Sequence, residues 1–261
     1  MNWISWLSIL WAIVKGLLGK EERLEFDWGE NEDKEIEEEL KYPIEEKEEE
    51  FGRFLWILDN GHGKLTRGKR SPHINEKGDR LYEYEFNRDI VERIIARIDP
   101  MGFHYFDLVD DYMERGNFLK GRVDRANNIL SPMPKVYVSI HANAGPVINR
   151  DAWSTANGVE TWYKKGSMLG AELAEIFQKH IVAQTGWRDR GIKFKKIKRE
   201  EFYVLKRTDM VAVLTENGFY NNRVECDMLM REEVRQAIAD AHVEAMMEIE
   251  RVQLINEDEI S

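Results

Sequence analysis

The sequence predicts an α/β fold: a single-domain, twisted and mostly parallel sheet with helices on both faces, preceded by an apolar N-terminal helix and an acidic linker. Three observations predict it. From about residue 53 short apolar runs alternate with amphipathic segments at the interval of strand and helix units. The 261 residues are 43% hydrophobic, enough for one sizeable core. The formal charge of −11 is concentrated: residues 21–50 hold sixteen Asp/Glu and four Lys/Arg, a net of −12, leaving about +1 for everything else. The acidity belongs to one segment, so an acidic substrate for the remainder is not excluded.

The opening stretch, MNWISWLSILWAIVKGLLGK (1–20), carries three tryptophans and small or polar residues every three to four positions, which predicts a helix with one narrow polar stripe. It has no Lys or Arg before Lys15 and no A-x-A pattern, so it does not read as a cleaved secretory signal. Its apolar run is short for a spanning helix, which needs roughly 20 residues. Two readings stay open for it: a helix lying on or anchored in a membrane, and a helix docked on a protein surface. Residues 21–52, with KEIEEELKYPIEEKEEE, read as a solvated linker.

The main globular domain is expected over residues 53–252, followed by a tail at 253–261. Its predicted strands are FLWILD (54–59), HYFDLV (104–109), KVYVSIHA (135–142), GVETWYK (158–164), FYVL (202–205) and VAVLTE (211–216). Between them EFNRDIVERIIARI, LKGRVDRANNIL, SMLGAELAEIFQKHIVAQTG and EEVRQAIADAHVEAMMEIE have helical spacing. No internal repeat is visible. A single cysteine, Cys226, excludes an intramolecular disulfide framework and any cysteine-based zinc cluster, and no nucleic-acid partner is expected.

In open α/β sheets ligands gather at the carboxyl ends of the strands. Three such ends carry unusual residues. His62 follows the first strand in LDNGHG, between glycines that let the chain turn sharply. His141 ends VYVSIHAN, and Glu216 ends VAVLTENGF. One histidine in a glycine turn is ordinarily a hydrogen-bonded structural residue. Two imidazoles at neighbouring strand ends, joined by a carboxylate and an open position, are a recognised catalytic zinc arrangement. Glu83 and Glu85, at the start of the helix in LYEYEFNRDIVERI, are both candidates for that carboxylate, and either also suits the helix dipole. Glu216 follows an apolar run, where a carboxylate is costly unless paired or functional. Beside a metal-activated water it suits a general base.

From about Phe54 to Ile249 these residues resemble the zinc-dependent N-acetylmuramoyl-L-alanine amidases of the Amidase_3 type. LDNGHG is similar to that family's first ligand motif, YEYEFNRDI to its Glu-x-x-x-Asn helix start, SIHANA to its second histidine motif and VLTENGFYNN to its catalytic-glutamate motif. RDRGIKF and FYVLKRTDMVAVL resemble the Arg-Gly and Leu-Arg segments ahead of the last motif. The resemblance implies one Zn2+ per chain held by His62, Glu83 and His141, with Glu216 as the catalytic carboxylate. Glu83 is preferred over Glu85 because it lies four residues before Asn87. The implied reaction is hydrolysis of the amide between N-acetylmuramic acid and L-alanine in peptidoglycan.

The chain departs from the family pattern at Asn60 and Val211, where proline is common, and in a longer, more basic stretch between His62 and Glu83. There Lys64, Arg67, Lys69 and Arg70 either flank the cleft and attract anionic wall groups or form a solvated loop. Arg207 and Asn143 are candidate substrate-binding residues, Arg207 because a guanidinium grips a carboxylate bidentately. His73 is not expected to bind metal, and His104, His180 and His242 read as structural or surface residues. Expected localisation is the bacterial cell envelope, periplasm or wall, with membrane association through the N-terminus as one option and cytoplasmic accumulation before release if the protein is a phage-type lysin. The alternatives carried are a zinc carboxypeptidase acting on wall peptides and a non-catalytic peptidoglycan-binding domain. The first is weakened because Glu83 lies 21 residues after His62, where close spacing is the rule for such peptidases.

Overall fold

A computed structural model describes residues 51–109 and 118–254. The apolar helix expected at 1–20, nearly all of the acidic linker and most of the C-terminal tail lie outside the described residues. Among the described residues, no helix is long and apolar enough to cross a membrane.

Six strands form one sheet: β1 (Leu55–Asn60), β2 (His104–Asp107), β3 (Lys135–Asn143), β4 (Val159–Tyr163), β5 (Asp189–Lys193) and β6 (Val211–Phe219), in the order β2-β1-β3-β6-β4-β5. β2, β1, β3 and β6 are mutually parallel, and the β4–β5 pair runs antiparallel to β6. The sheet is thus mostly parallel, as expected, with a reversed pair at one edge. The helices are α1 (Glu83–Ile98), α2 (Leu119–Asn128), α3 (Met168–Thr185), α4 (Tyr203–Arg207), α5 (Arg223–Leu229) and α6 (Glu232–Arg251).

The central strands are apolar on both faces because both are covered, which is why they read as continuous hydrophobic runs. On one face Trp56, Leu58, Val136, Val138, Ile140 and Val213 pack under α1, α3 and α6. On the other, Ile57, Tyr137, Ala212 and Leu214 meet Val123 and Ala126 of α2 and Val204 and Leu205 of α4. Phe51 is buried and stacks on Phe103 with ring centroids 4.5 Å apart, so the packed domain includes residues before 53.

One predicted strand is a helix. FYVL (202–205) is drawn into α4, a single turn whose Val204 and Leu205 face the core while Phe202 and Tyr203 turn to the cleft. A run of four apolar residues carries no period that separates the two states. Conversely Asp189–Lys193, polar on its face, is the edge strand β5, held by pairing with β4 rather than by burial.

His242 is structural, as its sequence setting suggested. Wholly buried on α6, it shares a hydrogen bond between Nε2 and Thr215 Oγ1 (2.9 Å), and its Nδ1 donates to Ile238 O (2.7 Å). Burial pushes the imidazole down to about 4, against the backbone contact that favours its charge. The unfolded chain therefore takes up a proton near pH 6.5, while the folded chain resists until about 4. This stability cost is absent above pH 6.5 and complete below about 4, reaching about 3 kcal/mol. Denaturant unfolding across that interval is expected to show the loss, and His242→Asn should flatten its slope.

Candidate active site

The carboxyl end of β1 is set by a buried ion pair. Arg122, almost fully buried on α2, donates to Asp59 Oδ1 and to the carbonyl oxygens of Asn60 (2.7 Å) and His62. The other oxygen of Asp59 accepts from Ser139 Oγ (2.7 Å) on β3. Burial works against the Asp59 charge, but Arg122 and Ser139 outweigh it and hold the carboxyl below its usual range. The neighbouring carbonyl, that of Gly61, accepts from Asn87 Nδ2 (2.9 Å) on α1. Asn87 and Arg122 thus hold three consecutive carbonyls, at residues 60, 61 and 62.

Within this clamp His62 itself adopts the left-handed conformation, with φ 66°. The strain expected of the flanking glycines falls on the histidine, at a cost of about 1 kcal/mol or more. Gly61 is needed for another reason. A Cβ there would lie 2.0 Å from Cε1 of His141, whose ring occupies that space.

Glu83 is the first residue of α1, buried to 0% exposure. Its Oε1 lies 3.0 Å from His141 Nδ1 and 3.3 Å from His62 Nε2, and the two rings meet edge to face at 4.8 Å. The three donor atoms fall within 4.8 Å of one another. Oε2 of Glu83 has no hydrogen bond and lies 3.5 Å from Lys69 Nζ. Burial opposes ionisation of Glu83, but His141, His62 and Lys69 together hold it well below the carboxylate range. Burial lowers His141, against the pull of Glu83, so its imidazole favours the neutral form in which it can be a ligand. Two imidazoles and one ionised carboxylate fit a borderline divalent ion such as zinc. Glu85 points elsewhere: it is exposed and accepts from Tyr84 OH at 2.6 Å.

Glu216 stands beside this group. It is the register partner of His141 across β3 and β6, and its Oε2 is buried with no hydrogen-bond partner. Both strands continue past these residues, to Asn143 and Phe219. Burial, reinforced by the Glu83 charge, pushes the Glu216 carboxyl well above its usual range. A cleft of about 150 Å³ brings His62, His141 and Glu216 together, with Lys69, Leu119 and the Phe202–Val204 turn among its walls.

Other predicted residues sit outside that cleft. Arg207 borders a separate depression with Lys164, Lys165 and Lys206. Asn143 is turned toward β4, donating from Nδ2 to Glu160 Oε1 (2.9 Å) while its Oδ1 accepts from the Ala144 amide (2.8 Å). His73 is exposed on its loop, and His180 pairs with Glu248 on the far helices. The sequence reading passed over Glu160. This buried carboxylate, opposite Glu216 in the β4–β6 register, accepts from Asn143, Trp162 Nε1 (3.1 Å) and Arg190 Nε (2.6 Å), with Lys193 Nζ at 3.0 Å. A glutamate inside the apolar run GVETWYK was the available signal.

With this geometry in place, comparison with known proteins is decisive. Residues 57–248 match Amidase_3, N-acetylmuramoyl-L-alanine amidase. The chain belongs to the Amidase_3 family. Members of this family are generally metalloenzymes, and the His62, Glu83 and His141 group lies within the matched residues. The Amidase_3 chain is 30% identical to the N-acetylmuramoyl-L-alanine amidase from Clostridium difficile 630, with a TM-score of 0.61 over 76% of this chain and 96% of that one. It is 27% identical to the endolysin of Bacillus phage SPP1 over 76% of its length and 29% identical to the amidase LytC of Bacillus subtilis over 80%. It spans 66% of that endolysin and 37% of LytC.

Two outcomes test the clamp and the ring contact. Gly61→Ala is expected to displace the His141 ring and weaken binding of a divalent metal ion at the His62, Glu83 and His141 group about tenfold or more in calorimetric titration, with circular dichroism unchanged. Arg122→Met leaves Asp59 buried without its cation and should cost about 3–5 kcal/mol in denaturant unfolding.

Proposed function

We propose that this chain is a zinc-dependent N-acetylmuramoyl-L-alanine amidase that cuts the amide between N-acetylmuramic acid and L-alanine in peptidoglycan. The observation that carries the reading is the convergence of His62, Glu83 and His141 behind a cleft of an Amidase_3 domain that Glu216 also lines, its buried Oε2 without a hydrogen-bond partner. His62, Glu83 and His141 hold the ion. A zinc ion in that place supplies a Lewis acid for the amide carbonyl and acidifies water at the site.

The chain's own groups do the rest. Glu216 takes the proton of the attacking water on its carboxylate and returns it to the leaving amine of L-alanine. Attack of the water oxygen forms a C–O bond, and collapse of the resulting tetrahedral carbon breaks the C–N bond, leaving a lactyl carboxylate on the sugar and a free amino terminus on the stem peptide. Asn87 and Arg122 keep His62 fixed through its backbone, so the ligand does not swing as charge develops. Lys69, 3.5 Å from Glu83, places a cation at the cleft wall where an oxyanion or a substrate carboxylate benefits from it.

The site of action is then the cell envelope. The catalytic domain takes in residues 51–254, two residues wider at each end than the expected 53–252, and residues 1–20 tether it to a membrane or protein surface through the acidic linker. The supporting observation is that both core clusters are assembled from residues between Phe51 and Leu254.

Three experiments test this. Peptidoglycan digested by the protein, with and without a chelator, should release stem peptides with new N-terminal L-alanine in mass spectrometry only when metal is present. Cleavage of glycan or of peptide cross-links would overturn the reading. Glu216→Gln should lower that release by about 100-fold or more while zinc content stays near one per chain. Deleting residues 1–50 should leave a folded domain with undiminished activity on solubilised wall fragments; insolubility would overturn the tether.

A further inference from the structure

Three cations gather at the Glu160–Trp162 corner of the sheet, and the metal and proton roles above leave all of them unused. Arg190 Nε donates to Glu160 Oε2 (2.6 Å), and Lys193 Nζ stands 3.0 Å from the same oxygen. Oε1 of Glu160 accepts from Asn143 Nδ2 (2.9 Å) and Trp162 Nε1 (3.1 Å). Both oxygens are thereby taken, and two of the three cations are spent within the fold. The third is Lys195, two residues beyond β5.

Lys195 is held in another way. Its Nζ lies 4.5 Å from the centroid of the Trp162 ring and 5.2 Å from that of Phe202, and the two rings meet edge to face at 5.2 Å. Among the described residues it makes no ion pair and no hydrogen bond. Ring faces attract an ammonium and fix where it sits, but they do not neutralise it. The seat is itself anchored, because Trp162 donates to Glu160 and Phe202 is the residue that leads into α4. Lys195 therefore carries a half-buried positive charge in a defined place with no carboxylate of the fold to meet it.

That place is one ring back from the reacting atoms. Phe202 lines the cleft with His62, His141 and Glu216, and Lys195 stands against Phe202 outside the cleft lining. Burial and the Glu83 charge raise the Glu216 carboxyl, whereas Lys69 and Lys195 pull it down, so the Lys195 ammonium is within electrostatic reach of the proposed base. It is placed to act on a substrate held in the cleft, beyond the amide that is cut.

We propose that Lys195, seated on Trp162 and Phe202, binds the free carboxylate of the stem-peptide residue joined to L-alanine, and so makes the site select stem peptides that carry a carboxylate there over those that carry an amide. The charge and its place select this ligand. A single ammonium is a compact point charge that suits a monoanion, whereas a phosphate dianion calls for several donors or an arginine fork. On the sugar side of the scissile amide the lactyl carboxyl is itself the acyl group, so the nearest free carboxyl lies on the peptide side. An extended residue spans about 3.5 Å, which carries that carboxyl from the amide past the width of one aromatic ring. The proposal rests on the amidase reading, and its test keeps the two apart.

The full chain, loaded with zinc, is given two soluble muramoyl peptides that differ only in a free carboxylate or a carboxamide on the residue after L-alanine. The wild type should prefer the carboxylate peptide about tenfold in kcat/KM, with the difference in KM and not in kcat. Added salt should shrink that preference. Lys195→Met should bring the ratio to about one, and Lys195→Arg should keep it. Equal kcat/KM for the two peptides in the wild type, a preference that survives Lys195→Met, or a loss of kcat on both peptides alike in that variant would overturn the proposal. Calorimetric binding of the same two peptides to the Glu216→Gln chain reads the preference without turnover. Failure of the wild type to cut the muramoyl–L-alanine bond would count against the amidase reading, while the binding preference would still decide the role of Lys195.

Discussion

The site depends on the buried pair between Arg122 and Asp59. Burying two charges costs several kcal/mol each before their attraction is counted, and such a pair is a poor source of stability. Its use here is geometric. One guanidinium spends its donors on the Asp59 carboxylate and on the carbonyls of Asn60 and His62, so the last turn of β1 cannot relax. Ser139 extends the same network to β3, the strand that carries His141. Two of the three prospective ligands are thereby referred to one buried anchor, and Asn87, on the helix that begins with Glu83, joins the third to it through Gly61.

That anchoring explains why a histidine, not a glycine, takes the left-handed conformation. His62 is held there by contacts to its own carbonyl and its neighbours', and the strain is retained because the surrounding structure over-determines it. Gly61 has a different duty, leaving room for the His141 imidazole. Ligand approach and backbone clamp are two parts of one design: remove the space and the rings separate, remove the clamp and His62 reverts to an ordinary turn.

Electrostatics divide the carboxylates by environment. Glu83 is surrounded by two imidazoles and Lys69 and is held ionised. Glu216 is pushed the other way, by burial of its carboxyl and by the Glu83 charge beside it, which together outweigh Lys69 and Lys195. Glu160, across the β4–β6 pair, is kept ionised despite burial by Arg190 and Lys193 and ties the Asn143 corner to the reversed edge of the sheet. Carboxylates with separated proton affinities in one region are what an active site needs to bind an ion with one and transfer protons with another.

Much of this was legible in the chain. Apolar runs of five to nine residues between amphipathic segments determine the strands β1, β3, β4 and β6 and the long helices, because period and length are local properties. The four motifs around His62, Glu83, His141 and Glu216 determine the family, since residue type and spacing are written in order along the sequence. Tertiary structure decided the rest. FYVL became a helical turn because its position over α2 and the sheet, not its composition, fixed its state. Glu83 prevailed over Glu85 in space because only the first residue of α1 faces the imidazoles. The partners of Arg122 and Glu160 were not legible, because an apolar run can flag a buried charge but not the group, dozens of residues away, that the fold brings within hydrogen-bonding distance of it.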